Sequence, residues 1–250
     1  MTAPATISFV VPCFNEEDNV GPTVETIREV MAAQTNYEII LVDDCSEDAT
    51  LSRMQALADT DPRIRVVSNP VNLGLGGSYK RGIEVAQGTH AIMLPGDNGF
   101  PAASVAEILR HADRADIVIP VVSNPGARTW FRAFTSRGFT ELLNWVFWLD
   151  VGYYNGAVLH RTALLHGIEI RTNGFAYQAE ALVKLIARGA SYTQCPVRIQ
   201  ERVAGSSTAL SWKNQISVWK TILHLVAEVG VFRRYRIVGP AVERGVEARR

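Results

Sequence analysis

The chain is predicted to fold as an α/β unit with a mainly parallel central sheet flanked by helices. Three observations predict this. Short apolar runs rich in β-branched residues alternate with amphipathic stretches between residues 7 and 122. Those runs carry few charges, as strands buried on both faces do. Polar segments follow successive runs: PCFNEE, DDCSED, NPVNLG and PGDNG. In open parallel sheets, ligands bind outside the carboxyl ends of the strands, where such segments lie.

The elements follow in order. ISFVVPCF at 7–14 is a strand, and 19–34 is a helix with Val20, Val24, Ile27, Val30 and Met31 on one stripe. YEIILV at 37–42 is a second buried strand, closed by Asp43 and Asp44. Residues 48–59 are helical with Asp48 as cap, and IRVVS at 64–68 is a third strand. NPVNLGLGG at 69–77 is a loop by glycine and proline content, before a helix over 78–87. HAIML at 90–94 is a fourth strand. PGDNGFP at 95–101 is a loop whose Pro101 opens the next helix, and DIVIPVV at 116–122 is a fifth strand. The second half is less regular. It reads as an aromatic-rich helix over 129–149, a turn into a strand over 153–161, a helix over 176–188, a strand over 191–200 and a long amphipathic helix over 209–232.

Composition excludes several function classes. At 47% hydrophobic and 20% charged residues, the balance of the 250-residue chain is that of a globular protein rather than a disordered or fibrous one. Twenty-five basic residues balance 25 acidic ones, so no nucleic-acid partner is expected. The three cysteines, Cys13, Cys45 and Cys195, have no metal spacing, and a reducing cytoplasm is the expected compartment. Residues 1–6 lack a cationic start and an apolar run, so no leader is expected. No apolar run is long enough to span a bilayer.

The polar segments carry the candidate chemistry. Asp43 and Asp44 end a buried strand, where carboxylates accept from ribose hydroxyls or a base edge, bind a metal, or cap helices. A phosphoacceptor receiver domain also has an acidic pair, but after its first strand, and its phosphorylated Asp follows the third. Here the pair follows the second strand and no Asp follows the third, so that reading fails. Asp97, in a glycine-flanked turn, suits a hard cation bridging a diphosphate, or a plain Asp-Asn turn. NLGLGGSYKRG at 72–82 matches neither a dinucleotide nor a P-loop fingerprint; its glycines allow close approach of a ligand or another segment. Arg202 with Gly205, Ser206 and Ser207 can clamp phosphate oxygens or lie in solvent. Arg128, Arg132 and Arg137 sit among Trp130, Phe131 and Phe134, either an anion site at an apolar surface or a basic helix face.

Together these segments resemble glycosyltransferase family 2, with its GT-A nucleotide-sugar-binding fold, and within it the polyprenyl-phosphate and dolichyl-phosphate sugar synthases. The resemblance rests on VVPCFNEEDNV at 10–20, ILVDDCSEDAT at 40–50, NPVNLGLGGSYKRGIEVAQG at 69–88, MLPGDNGFP at 93–101 and PVRIQERVAGSST at 196–208, in that order. It implies an inverting transfer from GDP-mannose or a UDP-hexose to a polyprenyl-phosphate acceptor, or alternatively to a saccharide hydroxyl. Pro12, Asn15 and Glu16 match the first-strand motif that holds base and ribose, and Asp43 and Asp44 match the acidic pair that contacts the nucleoside. Asp97 matches the last Asp of the DxD that binds Mg²⁺ or Mn²⁺ on the diphosphate. Glu180 matches the acidic residue near the acceptor and is the base that a hydroxyl acceptor would need. Arg202 and Ser206 match an RxxGxS phosphate clamp, and Arg132 and Ser136 resemble the RxxxS element that meets the acceptor phosphate.

The pattern has departures. Pro95 stands where the first Asp of DxD does, and Gly99 where a Gln is common. That motivates a third reading, a nucleotide-sugar-binding protein without catalysis. The acceptor segment reads DVGYYNG at 150–156, and the transmembrane hairpins of many bacterial relatives are absent from this sequence. The expected organisation is a catalytic unit over 1–208, with a nucleotide-sugar half at 1–122 and an acceptor half at 123–208, then a helix and basic tail over 209–250. That helix is expected to put Trp212, Ile216, Trp219, Ile222 and Leu223 near one face with Lys213 and Lys220 around it, which suits peripheral membrane contact.

Overall fold

A computed structural model describes residues 6–124, 130–199 and 212–230. Among the described residues, seven strands form one sheet, with helices on both faces. The strands are β1 (Ile7–Cys13), β2 (Tyr37–Asp43), β3 (Ile64–Ser68), β4 (His90–Met93), β5 (Ile117–Val122), β6 (Leu159–Arg161) and β7 (Tyr192–Val197). The helices are α1 (Val20–Val30), α2 (Thr50–Thr60), α3 (Gly74–Val85), α4 (Ala102–Leu109), α5 (Trp130–Phe147), α6 (Thr162–His166), α7 (Tyr177–Ala187) and α8 (Trp212–Val229).

The sheet order is β3-β2-β1-β4-β6-β5-β7. β1 pairs parallel with β2 and β4, β2 with β3, and β5 with β7. Only β6 runs antiparallel, between β4 and β5. Reversing direction twice across β6 leaves β5 and β7 parallel to the first four strands. Six strands therefore deliver their carboxyl ends to one edge of the sheet.

Strand alternation builds two cores. Phe9, Val11, Ile39, Leu41 and Ile92 face α1, α2 and α4. Val10, Ile40, Val42 and Met93 face the other side, with Tyr79, Leu143, Phe147, Tyr177, Leu182 and Ile222. Odd and even residues are thus both buried, which is why these strands read as continuous apolar runs. Each fully buried aliphatic side chain is worth about 1.5–3 kcal/mol. The rigid frame therefore lies in the strands, and the polar loops are free to carry chemistry.

Three elements differ from expectation. α3 begins at Gly74, not at 78. Glycines weaken a helix by about 1 kcal/mol each relative to alanine, so the stretch reads as loop. Tertiary partners for its first amides override that preference. Asp48 caps from one residue before the N-cap of α2: Asp48 Oδ1 accepts from the Thr50 amide at 2.9 Å. The third difference is in α8. Ile222 and Leu225 are buried, while Trp219 and Leu223 are exposed, so the expected common face divides. Ile222 and Leu225 share the stripe against α7, and Trp219 and Leu223 fall outside it.

Candidate active site

The loops after β1, β2 and β4 meet at the carboxyl edge. The sheet's connection order reverses between β1 and β4, so a crevice opens there. Pro12 lies in β1 opposite Val42, and its carbonyl accepts from the Gly96 amide at 3.0 Å. The Leu94 amide donates to the Val10 carbonyl at 3.0 Å, so the β4 loop continues along β1. Thr23 Oγ1 of α1 donates to the Gly96 carbonyl at 3.0 Å. A Cβ at Gly96 would lie 2.3 Å from Cys13 Sγ, so only glycine allows this approach. These bonds place Asp97, which is buried and whose Oδ1 accepts from the Gly99 amide at 3.1 Å. Asn98 takes a positive φ, and its Oδ1 accepts from Thr26 Oγ1 at 3.0 Å.

The β1 and β2 loops are stitched to each other. Asn15, at φ 55, donates its amide to Ser46 Oγ, and its Oδ1 accepts from the Glu47 amide at 2.8 Å. The Glu16 amide donates to Thr50 Oγ1 at 2.8 Å, and Glu16 Oε2 accepts from Asn19 Nδ2 at 2.7 Å. Asp43 is buried and accepts weakly, from the Ser46 amide at 3.2 Å and Ser68 Oγ at 3.3 Å. Burial, then the charges of Glu16, Asp43, Asp97 and Asp48, pushes the Cys13 thiol well above the usual range. The negative charges of four carboxylates are thus felt at Cys13, beneath the edge.

Asp44 does something different. Its Oδ1 accepts from the Leu73 amide at 2.8 Å and Asn69 Nδ2 at 2.9 Å, and its Oδ2 from the Gly74 amide at 2.8 Å. It caps α3. The Gly76 and Gly77 amides donate to the Asn173 carbonyl at 2.8 and 3.3 Å. The glycine-rich N-terminus of α3 is therefore committed to protein partners rather than open as a phosphate cradle. A Cβ at Gly76 would lie 2.9 Å from the Asn173 carbonyl, so these glycines admit another segment of chain.

Glu180 lies in the first turn of α7 and is 2% exposed. Its Oε1 accepts from the Arg171 amide at 2.9 Å and pairs with Lys184 Nζ at 2.8 Å; its Oε2 accepts from the Thr172 amide at 2.9 Å. In the second half of the chain, Asn144 of α5 ties 150–156 down through the Val151 amide and Tyr154 hydroxyl. Ser136 is half-buried on α5, and Arg132 lies in the same helix. Arg202 and Ser206 lie outside the described residues, as does Arg128. After β7, Ile199 is held by paired bonds to Asn124. Asn173 and Lys184 escaped the sequence reading. The only signal for Lys184 was its place on the apolar stripe of α7, four residues after Glu180.

Among the described residues no group of three or more His, Cys, Asp and Glu is arranged to hold a metal ion. Asp97 is a buried carboxylate on a fixed turn. That fits a hard cation that draws its other ligands from phosphate oxygens and water. His160 is fully buried, and burial holds it near 3, so it is neutral and part of the core.

A model of the family described as glycosyl transferase family 2 matches residues 8–167. The chain belongs to glycosyl transferase family 2. Its fold is the GT-A type, an α/β sandwich with a mostly parallel sheet. Among family 2 relatives, an uncharacterised glycosyltransferase of Synechocystis is 30% identical over 139 residues, 55% of this chain and 44% of that protein. The dodecaprenyl-phosphate galacturonate synthase of Rhizobium johnstonii is 32% identical over 113 residues, 44% of this chain and 33% of that protein. The chain thus spans less than half the length of either curated relative. Glucosyl-3-phosphoglycerate synthase of Mycobacterium tuberculosis, crystallised with Mn²⁺, UDP and phosphoglyceric acid, superposes with a TM-score of 0.67. At 17% identity, covering 92% of this chain and 81% of that one, it shares the fold.

Proposed function

We propose that this family 2 chain transfers a hexosyl group, with inversion, from a nucleoside-diphosphate sugar to a polyprenyl-phosphate-type acceptor. The observation that carries the reading is the convergence of Asn15, Glu16, Asp43 and Asp97 at the β1–β4 crevice of the carboxyl edge. Pro12, Asn15, Glu16 and Asp43 hold the nucleoside, with Asp44 beneath them. Asp97 faces the diphosphate and would hold Mg²⁺ or Mn²⁺, which supplies Lewis-acid stabilisation of the departing diphosphate. Arg202 and Ser206 clamp phosphate oxygens, and Arg132 with Ser136 meets the acceptor phosphate.

In the reaction, an acceptor phosphate oxygen attacks the anomeric carbon from the face opposite the leaving group. The anomeric C–O bond breaks, and its electron pair passes to the nucleoside diphosphate. A phosphate oxygen is already anionic near neutral pH, so no proton needs to be removed. A saccharide hydroxyl would need a base. Glu180, the carboxylate that the sequence offers, already accepts from two amides and an ammonium. This favours the anionic acceptor, and the polyprenyl-phosphate relative supports it.

The test is transfer with purified protein, Mn²⁺ or Mg²⁺, and a panel of UDP- and GDP-sugars, with and without a short polyprenyl phosphate. Product dependent on the prenyl phosphate is expected. Transfer to a hydroxyl acceptor alone would move the reading to the second acceptor class. Donor binding without any turnover would leave a non-catalytic nucleotide-sugar-binding protein.

The acceptor also implies contact with a lipid surface. No helix among the described residues is long and apolar enough to cross a membrane. α8 exposes Trp219 and Leu223 beside Lys220, and the sequence continues to Arg233, Arg234 and Arg236. Exposed aromatic and apolar groups with basic neighbours suit the headgroup boundary. Co-sedimentation with anionic vesicles is expected at low salt, and should weaken in Leu223→Ser. No sedimentation at low salt sinks the membrane contact.

A further inference from the structure

We propose that Glu180 and Lys184 are positioning residues, not catalytic ones, and that Glu228 of α8 completes a relay that seats the donor-side loop. The proposal deepens the glycosyl-transfer reading and rests on it for its kinetic arm only.

The relay starts at α8. Glu228 Oε2 pairs with Lys184 Nζ at 2.8 Å, and Lys184 pairs with Glu180 at 2.8 Å. Lys184 also donates to the Glu169 carbonyl at 2.8 Å. The three donors of its ammonium are thereby used, in a side chain 1% exposed. Glu180 in turn holds the amides of Arg171 and Thr172, one on each oxygen. Segment 169–172 is therefore gripped at three backbone groups by two side chains of α7.

What that segment does is set by the next residue. The Asn173 carbonyl takes the Gly76 and Gly77 amides, and its Oδ1 accepts from Lys80 Nζ at 2.5 Å. The same helix end gives Leu73 and Gly74 to Asp44. The unpaired amides at the start of α3 are thus divided between a carboxylate of the donor edge and a carbonyl fixed by Glu180. A shift at 171–173 displaces α3's first turn and, through it, Asp44 and the 69–74 loop. The contact of α8 with the same segment is doubled, since His224 approaches Arg171.

A general base must present a lone pair within hydrogen-bond reach of the acceptor hydroxyl. Both Glu180 oxygens face protein donors, and the group is buried. Its chemistry is that of an anchor: two backbone donors and one ammonium compensate a carboxylate taken out of water.

The experiment compares Glu180→Gln and Glu228→Gln with the parent chain. It measures amide hydrogen exchange at residues 73–77, UDP and GDP affinity by calorimetry, and donor KM against kcat. Glu180→Gln loses a charged hydrogen bond, so about tenfold weaker nucleotide binding and about tenfold higher donor KM are expected, with kcat changed less than that. Exchange at 73–77 should speed up. Glu228→Gln, altering a partly exposed partner, should show the same changes at a smaller scale. A kcat loss of about 10²–10⁴-fold in Glu180→Gln, with unchanged nucleotide affinity and loss of the acidic limb of the pH–rate profile, would make Glu180 a base and overturn the proposal. If Glu180→Gln does not fold, Glu228→Gln decides, and unchanged exchange and affinity there overturn the relay. Exchange and nucleotide binding do not need turnover, so an inactive parent chain would strike the transfer reading and leave the relay standing or falling on its own data.

Discussion

Asp97→Asn is expected to cut transfer by about 10²–10³-fold, the loss typical when one preorganised group at a developing charge is removed. The substitution keeps the shape, and the amide oxygen can still accept from Gly99, as Oδ1 does now at 3.1 Å. The turn itself is held elsewhere, by the Gly96 amide on Pro12, the Gly96 carbonyl on Thr23 and the Asn98 side chain on Thr26. Asp97 is also one of four carboxylates that raise the Cys13 thiol through their negative charge. Because the bonds that hold the turn remain in the variant, the melting temperature should change little. Activity and melting temperature measured on the same preparation check the pair. Undiminished transfer in Mn²⁺ would remove Asp97 from the diphosphate; a collapse in melting temperature would make its role structural.

Asp44→Ala is the complementary case, with stability expected to fall by about 3 kcal/mol. Its carboxylate takes the Leu73 and Gly74 amides and Asn69 Nδ2, all between 2.8 and 2.9 Å. Alanine strands two half-buried helix-terminal amides, and an orphaned donor out of water costs roughly 1–3 kcal/mol. For a chain of this size that corresponds to a melting temperature lower by about 6–12 °C. Nucleotide affinity should fall as well, because the 69–74 loop loses its anchor. Denaturant titration and calorimetric binding check both effects. Asp43→Ala makes the contrast. Its bonds are longer, at 3.2 and 3.3 Å, so its loss should register more in nucleotide binding than in stability. That outcome would divide between the two adjacent acids the work that the acidic-pair motif assigns jointly.

Much of this architecture is legible in one dimension. Strand signals at 7–14, 37–42, 64–68, 90–94 and 116–122 lie over β1 to β5. For β1, β2, β4 and β5 the reason is burial on both faces, which needs continuous apolar runs; β3, at the sheet edge, buries only Ile64 and is legible from its β-branched residues. The loops after β1, β2 and β4 carry polar residues for the complementary reason. They close buried strands at an open edge, so Asn15, Asp43 and Asp97 were visible as candidates before any geometry was known.

The rest depended on partners distant in sequence. β6 is a three-residue strand whose antiparallel place between β4 and β5 has no period to betray it. Gly74 to Gly77 read as a loop because local propensity disfavours helix there. They fold as helix because Asp44 and Asn173, 30 and about 97 residues away, take up their amides. Glu180 looks like a reactive acid in sequence and is an anchored one in space, since Lys184 is one turn away but the Arg171 and Thr172 amides arrive through a bend in the chain. By itself, the sequence determined the sheet class, the loops that bear chemistry and the family, since these follow from local periodicity and the order of motifs. Only tertiary structure decided that Asp44 and Glu180 are anchored by protein donors, because a carboxylate's partners are the donors that reach it in three dimensions.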